Sequence, residues 1–588
     1  MAAIISEKFR IFNAKQFLES LSEPSGGSDT SLERTRSYFF VGRPQKWFAY
    51  LELYAPNATA FTVGEFAYVG TNLASATFKA KVAAVYPSSI LLQDVLPTIT
   101  SSPALGALVK GNDSGAQAYA GVYRYANEDQ PSIPLDNQEE DKASYDDMIA
   151  LKRITSGQAR HVAKRITYTA NTKYDMWKPD YSAVKQTATS QNSLATAKYY
   201  LVNSNYEVFV CLYNGESPAN LTGVNSVNEP LKTPPVGAGT YNPTTRIFKE
   251  QTGPYIWRFL YTIPTNDVIK FLSTDFMPII DDPTEQAAAV NGAISVLLIK
   301  DTGASLPAAQ TLYAPIIGDG TGGVAKLTTT AGAILLSAEV ETAGSNYTYG
   351  NILVSNGYLF SDATLNTPVT STNAKASIEV IIPPKGGHAK DPVMELNAKR
   401  VMLNVRLTYA EGDGDFPVDN DFRRIGIVQD PQKADGSLAV SDTLSALYAV
   451  RVNNATGNFV SDEEIKQNVG TNAAPQFAYG TVVSWTPDTP GATTGILKYI
   501  QSSDLHTDKG KVYDFVSDAS KAIIATVSTV QANVVTSYAA TLLGSTFAAG
   551  LALPEVKKYS GDIIYSENRK LISRAPDQIE DIKLVIEF

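Results

Sequence analysis

The chain has 588 residues, with 49 Lys and Arg against 59 Asp and Glu for a formal charge of −10. That thin acidic balance lacks the concentrated basic face of a general nucleic-acid binder, and no run approaches the ~18 consecutive apolar residues that cross a bilayer. The single cysteine, Cys211, leaves no intrachain disulfide to form, which fits a reducing compartment.

Domains usually hold about 100–200 residues, so several units are expected. The chain is rich in Thr, Ser, Val and Tyr, and its 40 Gly and 31 Pro imply many turns. The expected class is mainly β with a few short helices (α+β). It is a multi-domain chain with a β-sandwich or barrel-like core and small inserted β domains.

In chain order, Glu7, Lys8 and Arg10 stand where a secretory signal needs an apolar run, so none is expected. Asn13 is read as the N-cap of a short helix, with Gln16 three residues on and Phe17, Leu18 and Leu21 on one face. Ser37-Tyr-Phe-Phe-Val-Gly-Arg43 reads as a strand. Period-two alternation from Phe61 to Gly70 and from Ala76 to Val82 places a small β unit at 51–119. An acidic loop follows from Asp136 to Asp141, and Ser144 is expected to cap a helix from Tyr145 to Lys152. Strands are expected at 165–169, 206–213 and 255–263, with a long loop over 214–241. Cys211, within Tyr206-Glu-Val-Phe-Val-Cys-Leu-Tyr213, reads as a buried small hydrophobe. A Gly/Thr/Ala-rich β unit occupies 286–395. Its Gly318-Asp-Gly-Thr-Gly-Gly323 lacks the Gly-Lys-Ser/Thr ending of a phosphate loop and reads as a β-turn cluster. Val401, Leu403, Val405 and Leu407 alternate with Asn404, Arg406 and Thr408 as a half-buried strand. A further β unit is expected at 446–545, and no solenoid-type period is visible.

Motifs for chemistry are scarce. His161, His388 and His506 lie far apart without metal-ligand spacing and are read as solvent-exposed imidazoles. Asp413, Asp415, Asp419 and Asp421 place oxygen ligands near alternate positions, a weak calcium candidate. No Glu stands twelve positions in, and Pro417 interrupts, so a solvated loop is the preferred reading. No nucleophile elbow occurs. The chain is therefore expected to have no catalytic residues and no cofactor.

Four segments carry a resemblance. They are Ser6-Glu-Lys-Phe-Arg10 with Phe17-Leu18 and Phe39-Phe-Val-Gly-Arg43; Tyr255-Ile-Trp-Arg-Phe-Leu-Tyr-Thr-Ile-Pro264; Phe422-Arg-Arg-Ile-Gly-Ile-Val-Gln-Asp-Pro431; and Tyr559-Ser-Gly-Asp-Ile-Ile-Tyr-Ser-Glu-Asn-Arg569 running on to Phe588. Together they resemble the gene-eight baseplate wedge subunit of T4-like contractile-tailed phages, in an enlarged form. On that resemblance, 1–50, 120–285, 396–445 and 546–588 form a discontinuous wedge-subunit core into which 51–119, 286–395 and 446–545 are inserted.

The resemblance implies a homodimeric structural protein of the virion, located in the tail baseplate and assembled in the host cytoplasm. Its implied partners are family counterparts of gene products seven, ten and six, with no nucleic acid and no membrane. Such a subunit holds its neighbours together during assembly and through the rearrangement that triggers sheath contraction. Within the last segment, Ile582, Leu584, Ile586 and Phe588 alternate as a strand that ties down the chain end. The polar residues Glu567, Asn568, Arg569, Arg574, Asp577 and Gln578 are the candidate interface, with local ion pairs as the alternative. A second function class is a receptor- or carbohydrate-binding virion protein that uses the inserted β units as binding modules.

Overall fold

The computed structural model describes residues 6–22, 36–43, 49–54, 60–73, 75–96, 101–125, 138–371, 373–407, 424–503, 506–508, 510–542, 545–569 and 580–588. The fold is mainly β and multi-domain, with five α-helices among the described residues. Two compact units arise, each from separated segments. The first takes Met1–Glu23, Ser156–Asn404 and Lys583–Phe588, and the second takes Pro24–Thr155 and Val405–Ile582. The segments set out from the sequence distribute over both.

In the first unit, helix α1 runs Glu7–Ser22. Its start is set by Ser6, whose hydroxyl accepts from the Phe9 N–H at 3.3 Å. Asn13, expected as the cap, instead lies mid-helix, between the buried Ile11 and Ala14. A five-stranded sheet orders Tyr200–Val202, Glu207–Tyr213, Ile256–Thr262, Ile247–Glu250 and Gly239–Asn242. Aromatic rings fill its core. Tyr255 and Trp257 stack at 5.4 Å, and Tyr174 meets Trp257 edge-on at 5.3 Å. Cys211 is fully buried beside them.

A four-stranded sheet, most of it in this unit, orders Phe276–Pro278, Ala159–Lys164, Arg400–Leu407 and Glu580–Glu587. The strand expected at 165–169 therefore lies earlier, at Ala159–Lys164. Arg400–Leu407 is not apolar on one face only, because helix α3 (Thr265–Phe271) covers the other. Asn404 donates to the Lys270 carbonyl at 2.8 Å, and Met402 packs on Phe271.

Two more sheets enclose one core between 296 and 381, in which Leu297, Leu312, Leu327 and Tyr347 are buried. This block is not a separate bead. Val296, Leu298 and Ile381 share a cluster with Trp177, whose indole N–H donates to the Ile382 carbonyl at 3.2 Å. In the Gly318–Gly323 cluster, Asp319 accepts from the Thr348 and Tyr349 amides at 2.9 and 3.2 Å, closing a turn. Helices α4 (Pro283–Ala288) and α5 (Pro392–Glu395) are short, and each carries an aspartate cap, Asp282 and Asp391.

In the second unit, a five-stranded sheet orders Thr443–Ser445, Met148–Arg153, Ser37–Gly42, Arg424–Gln429 and Asp562–Asn568. The helix expected from Tyr145 is corrected. Helix α2 spans Gln138–Asp147 and ends where that helix was to begin, while Met148–Arg153 is a strand. Met148, Ile149, Ala150 and Leu151 are all buried between two neighbouring strands, a burial on both faces that a sheet interior satisfies and a surface helix does not. Ser144 sits inside α2, its hydroxyl donating back to the Glu140 carbonyl at 2.9 Å.

Two six-stranded barrels complete this unit. The first closes through Ala49–Tyr54, Ser89–Leu96, Phe78–Tyr86, Phe66–Val69, Leu108–Gly111 and Gln117–Tyr125. The second runs through Tyr448–Asn453, Gly495–Ile500, Phe477–Pro487, Glu464–Asn468, Ile523–Ala525 and Gln531–Val534, with Leu551–Ala552 added beside Tyr448–Asn453.

Candidate interaction surface

Three of the segments singled out in the sequence become consecutive neighbours in the five-stranded sheet. Phe40 pairs with Gly426 across Ser37–Gly42 and Arg424–Gln429, and Gly426 pairs in turn with Ser566. Glycine at 426 is required by close approach. A Cβ there would lie 2.3 Å from the Tyr565 carbonyl oxygen and 2.5 Å from the Phe40 ring. Asp562–Asn568 is thereby seated as the outermost strand of the sheet among the described residues.

A buried charge network stands behind this edge. Arg424 is 0% exposed. Its guanidinium donates to the Glu140 carboxylate at 2.6 Å and to the Ser144 hydroxyl at 2.7 Å, while its Nε has no partner. Arg43 donates its backbone N–H to the Asp147 carbonyl at 2.8 Å, and its guanidinium pairs with Asp462. Burial lowers the Arg43 pKa to about 10 and raises that of Asp147 to about 6, with Arg424 and Arg43 opposing the rise. Asp146 accepts from the Ser503 amide and hydroxyl at 3.0 and 2.8 Å, from the Tyr559 hydroxyl at 2.6 Å, and from Lys558. The Tyr145 hydroxyl bonds the carbonyls of Ser560 and Gly561. Helix α2 thus ties the approach to the edge strand, 558–561, to the sheet. These anchors were missed in the sequence. Two of them, Arg43 and Arg424, were visible as cations at the ends of largely apolar strands.

Of the six candidate interface residues, Glu567 and Asn568 end the edge strand and Arg569 follows it. Arg569 and the Tyr565 hydroxyl both bond the Glu567 carboxylate. The local pairing held as the alternative is therefore present, on side chains about 30% exposed. Arg574, Asp577 and Gln578 lie outside the described residues, as do Asp413, Asp415, Asp419 and Asp421. No group of three or more His, Cys, Asp or Glu poised for a metal ion occurs among the described residues.

The histidines are a correction: all three are buried. His388 sits under Trp177 with Nδ1 2.6 Å from Glu395 Oε1. His506 accepts the Ser502 N–H on Nδ1 at 2.7 Å and meets Thr481 through Nε2 at 2.9 Å. The polar and glycine-rich sequence around both suggested solvent, but each ring is consumed in bracing a loop. His161 is 7% exposed with Nδ1 unpartnered, and burial beside Lys15 lowers its pKa to about 4.

His161 lines a cleft in the first unit, together with Arg160, Asp281, Lys390 and the Lys15–Asp391 pair at 2.6 Å. A larger cleft, about 1690 Å³, lies between the face of the five-stranded sheet carrying Ile247, Ile256 and Arg258 and the strand Leu335–Ser345. Arg258 donates there to the Thr245 carbonyl at 3.3 Å, and its Nε is unpartnered. The lining is mixed: Ile247, Ile256 and Val340 stand beside Arg246, Lys249, Arg258, Glu339 and Glu341. Two nearby acids have partners, Glu250 with Ser226 and Glu285 with Arg246.

No protein-family model matches the chain, and no curated protein sequence matches it.

Proposed function

We propose that this chain is a structural subunit of a contractile-tail baseplate wedge, acting through its interfaces rather than through catalysis. The observation that supports the reading is the sheet just described. Residues 39–43, 422–431 and 559–569 carry the resemblance to the gene-eight wedge subunit and are scattered over more than 500 positions. Strands from these three segments lie side by side. Residues chosen from sequence alone would not fall on adjacent strands unless they belonged to one structural core. The remaining segment, Tyr255–Pro264, supplies Ile256–Thr262 to the aromatic sheet, and the N-terminal part of the first segment forms α1, whose Phe17 ring meets that of Phe588.

In this reading the protein is a homodimer in the virion's tail baseplate. Its partners are the family counterparts of gene products seven, ten and six, and the outer edge at Asp562–Asn568 is one of the contact surfaces. Co-expression with those wedge subunits, followed by size-exclusion chromatography with light scattering, is expected to give a defined complex and, for the chain alone, a dimer. A monomer that ignores every wedge subunit would overturn the proposal. The double reversal Glu567→Arg with Arg569→Glu keeps the local pair but inverts its field. It is expected to weaken the complex about tenfold, with hydrogen exchange of the sheet unchanged.

A further inference from the structure

The two barrels of the second unit are wound identically. With the strands of each counted in chain order, both close as 1-4-3-2-5-6. Their registers also match. Leu51 faces Ile90 where Val450 faces Leu497. Leu53 faces Ala120 where Val452 faces Val534. Ala67 lies between Ala80 and Gly111 where Ile465 lies between Gly480 and Ala525. Both third strands carry a bulge at the same place, between Val82 and Ala84 and between Val482 and Ser484. The hairpin after each second strand contains the tetrapeptide Val-Gly-Thr-Asn, at 69–72 and 469–472.

A carboxylate lock recurs with its hydrogen bonds. Glu65, four residues after the buried Phe61, accepts from the Thr62 amide at 2.6 Å and from the Ser114 amide and hydroxyl at 2.8 and 2.7 Å. Glu463, four residues after the buried Phe459, accepts from the Val460 amide at 2.7 Å and from the Ser528 amide and hydroxyl, both at 3.1 Å. The backbone repeats too. The Val82 amide donates to the Glu65 carbonyl at 2.8 Å, and that of Val482 to the Glu463 carbonyl at 2.9 Å. The turn that each serine occupies is closed by Gly111 to Ala116 in one barrel and by Ala525 to Val530 in the other, both at 2.8 Å.

Closing a barrel demands neither this lock nor a bulge at that site. The interiors also differ in a compensated way. Where the first barrel buries Ala80 and Leu92 in its core, the corresponding residues of the second are Gly480 and Tyr499, and a Cβ on Gly480 would lie 2.9 Å from the Tyr499 ring. A larger side chain on one strand has been matched by a smaller one across from it.

We infer that residues 49–125 and 448–534 are two copies of one barrel module, alike in interior and in the Glu–Ser lock and distinct on the outside. Outward positions have diverged in charge and chemistry. Glu52 corresponds to Arg451, which pairs with Asp488 and lies over Tyr538. Tyr54 and Tyr119 are register partners about half exposed, and they correspond to Asn453 and Asn533. Any partner that reads the tyrosine pair of the first copy therefore finds amides on the second, so the duplication supplies two different surfaces on one scaffold.

Paired exchange in the full chain tests this, read by hydrogen exchange of each barrel. Leu92→Tyr and Gly480→Ala are each expected to lower protection of their own barrel about tenfold or more by overpacking. Leu92→Tyr with Ala80→Gly, and Gly480→Ala with Tyr499→Leu, import the other copy's pair and should regain most of it. Double variants no better protected than the singles would overturn the inference. Independently, Glu65→Ala should open the amides of 111–116 and Glu463→Ala those of 525–530, each leaving the other barrel unchanged. Opening in one barrel but not in the other would sink the shared lock, and the duplication with it.

Discussion

At the residue scale, the outcome was decided by whether a polar side chain's partners were near in sequence. Cys211 was legible because its flanks are apolar, and burial raises its thiol pKa well above the usual value. It should resist a thiol-specific disulfide reagent in the native protein and react with one equivalent after denaturation. The histidines were not legible. His506 depends on Thr481, in a strand that the sequence around His506 does not announce. His161 gives a pH dependence with a definite sign. Its folded pKa is depressed to about 4 from 6.5, so its contribution to stability is present above 6.5 and is lost as pH falls from 6.5 through 4. The shift corresponds to about 3 kcal/mol. His161→Gln should therefore flatten the acid limb of a melting-temperature profile between pH 7 and 4.5. Arg424→Met leaves the Glu140 carboxylate without its cation and the Ser144 hydroxyl without that donor, and should cost about 3 kcal/mol. Urea titration followed by hydrogen exchange in Arg424–Gln429 would measure it, and an unchanged midpoint would contradict a structural role for the network.

At the element scale, strands with strict alternation or a continuous apolar run were readable, and helix ends were not. The helix assigned to 145–152 failed because its capping signal, Ser144 followed by acids, is real but is spent within the preceding helix, while the apolar run after it is a central strand. Glu567 and Asn568, singled out in the sequence only as polar candidate interface residues, end an edge strand, Asp562–Asn568, whose pairing partner Arg424–Gln429 lies some 140 positions away. Its seat can be tested through Gly426. Gly426→Val drives a side chain into the Tyr565 carbonyl and the Phe40 ring, and is expected to release that strand by about 2 kcal/mol or more. Limited proteolysis should then cut within 562–569 while the two barrels stay protected. Persistent protection of 562–569 would mean that the strand is held by something other than this sheet.

At the scale of the whole molecule, the mainly-β, multi-domain character was legible from composition and turn density. The repeated barrel was not, because outside the tetrapeptides at 69–72 and 469–472 the copies agree at scattered positions such as Phe61, Glu65 and Ser114, with loops of different length between them. The block at 286–395 also looks detachable in sequence, yet Val296, Leu298 and Ile381 complete the core around Trp177. Its deletion is expected to yield aggregated rather than merely shortened protein, checked by light scattering of the truncated chain. The sheet that binds Arg400–Leu407 to Glu580–Glu587 has a consequence in time. About 170 residues separate those strands, so at usual elongation rates the ribosome leaves roughly 10–35 s between them. During that interval Arg400–Leu407 stands as an open edge on a nascent chain, without the final strand and without the Phe588 ring that lies 5.4 Å from Phe17 in α1. That sheet is therefore completed only once Glu580–Glu587 has emerged, and the burden of keeping the edge from pairing with other chains falls until then on chaperones and on the speed of translation.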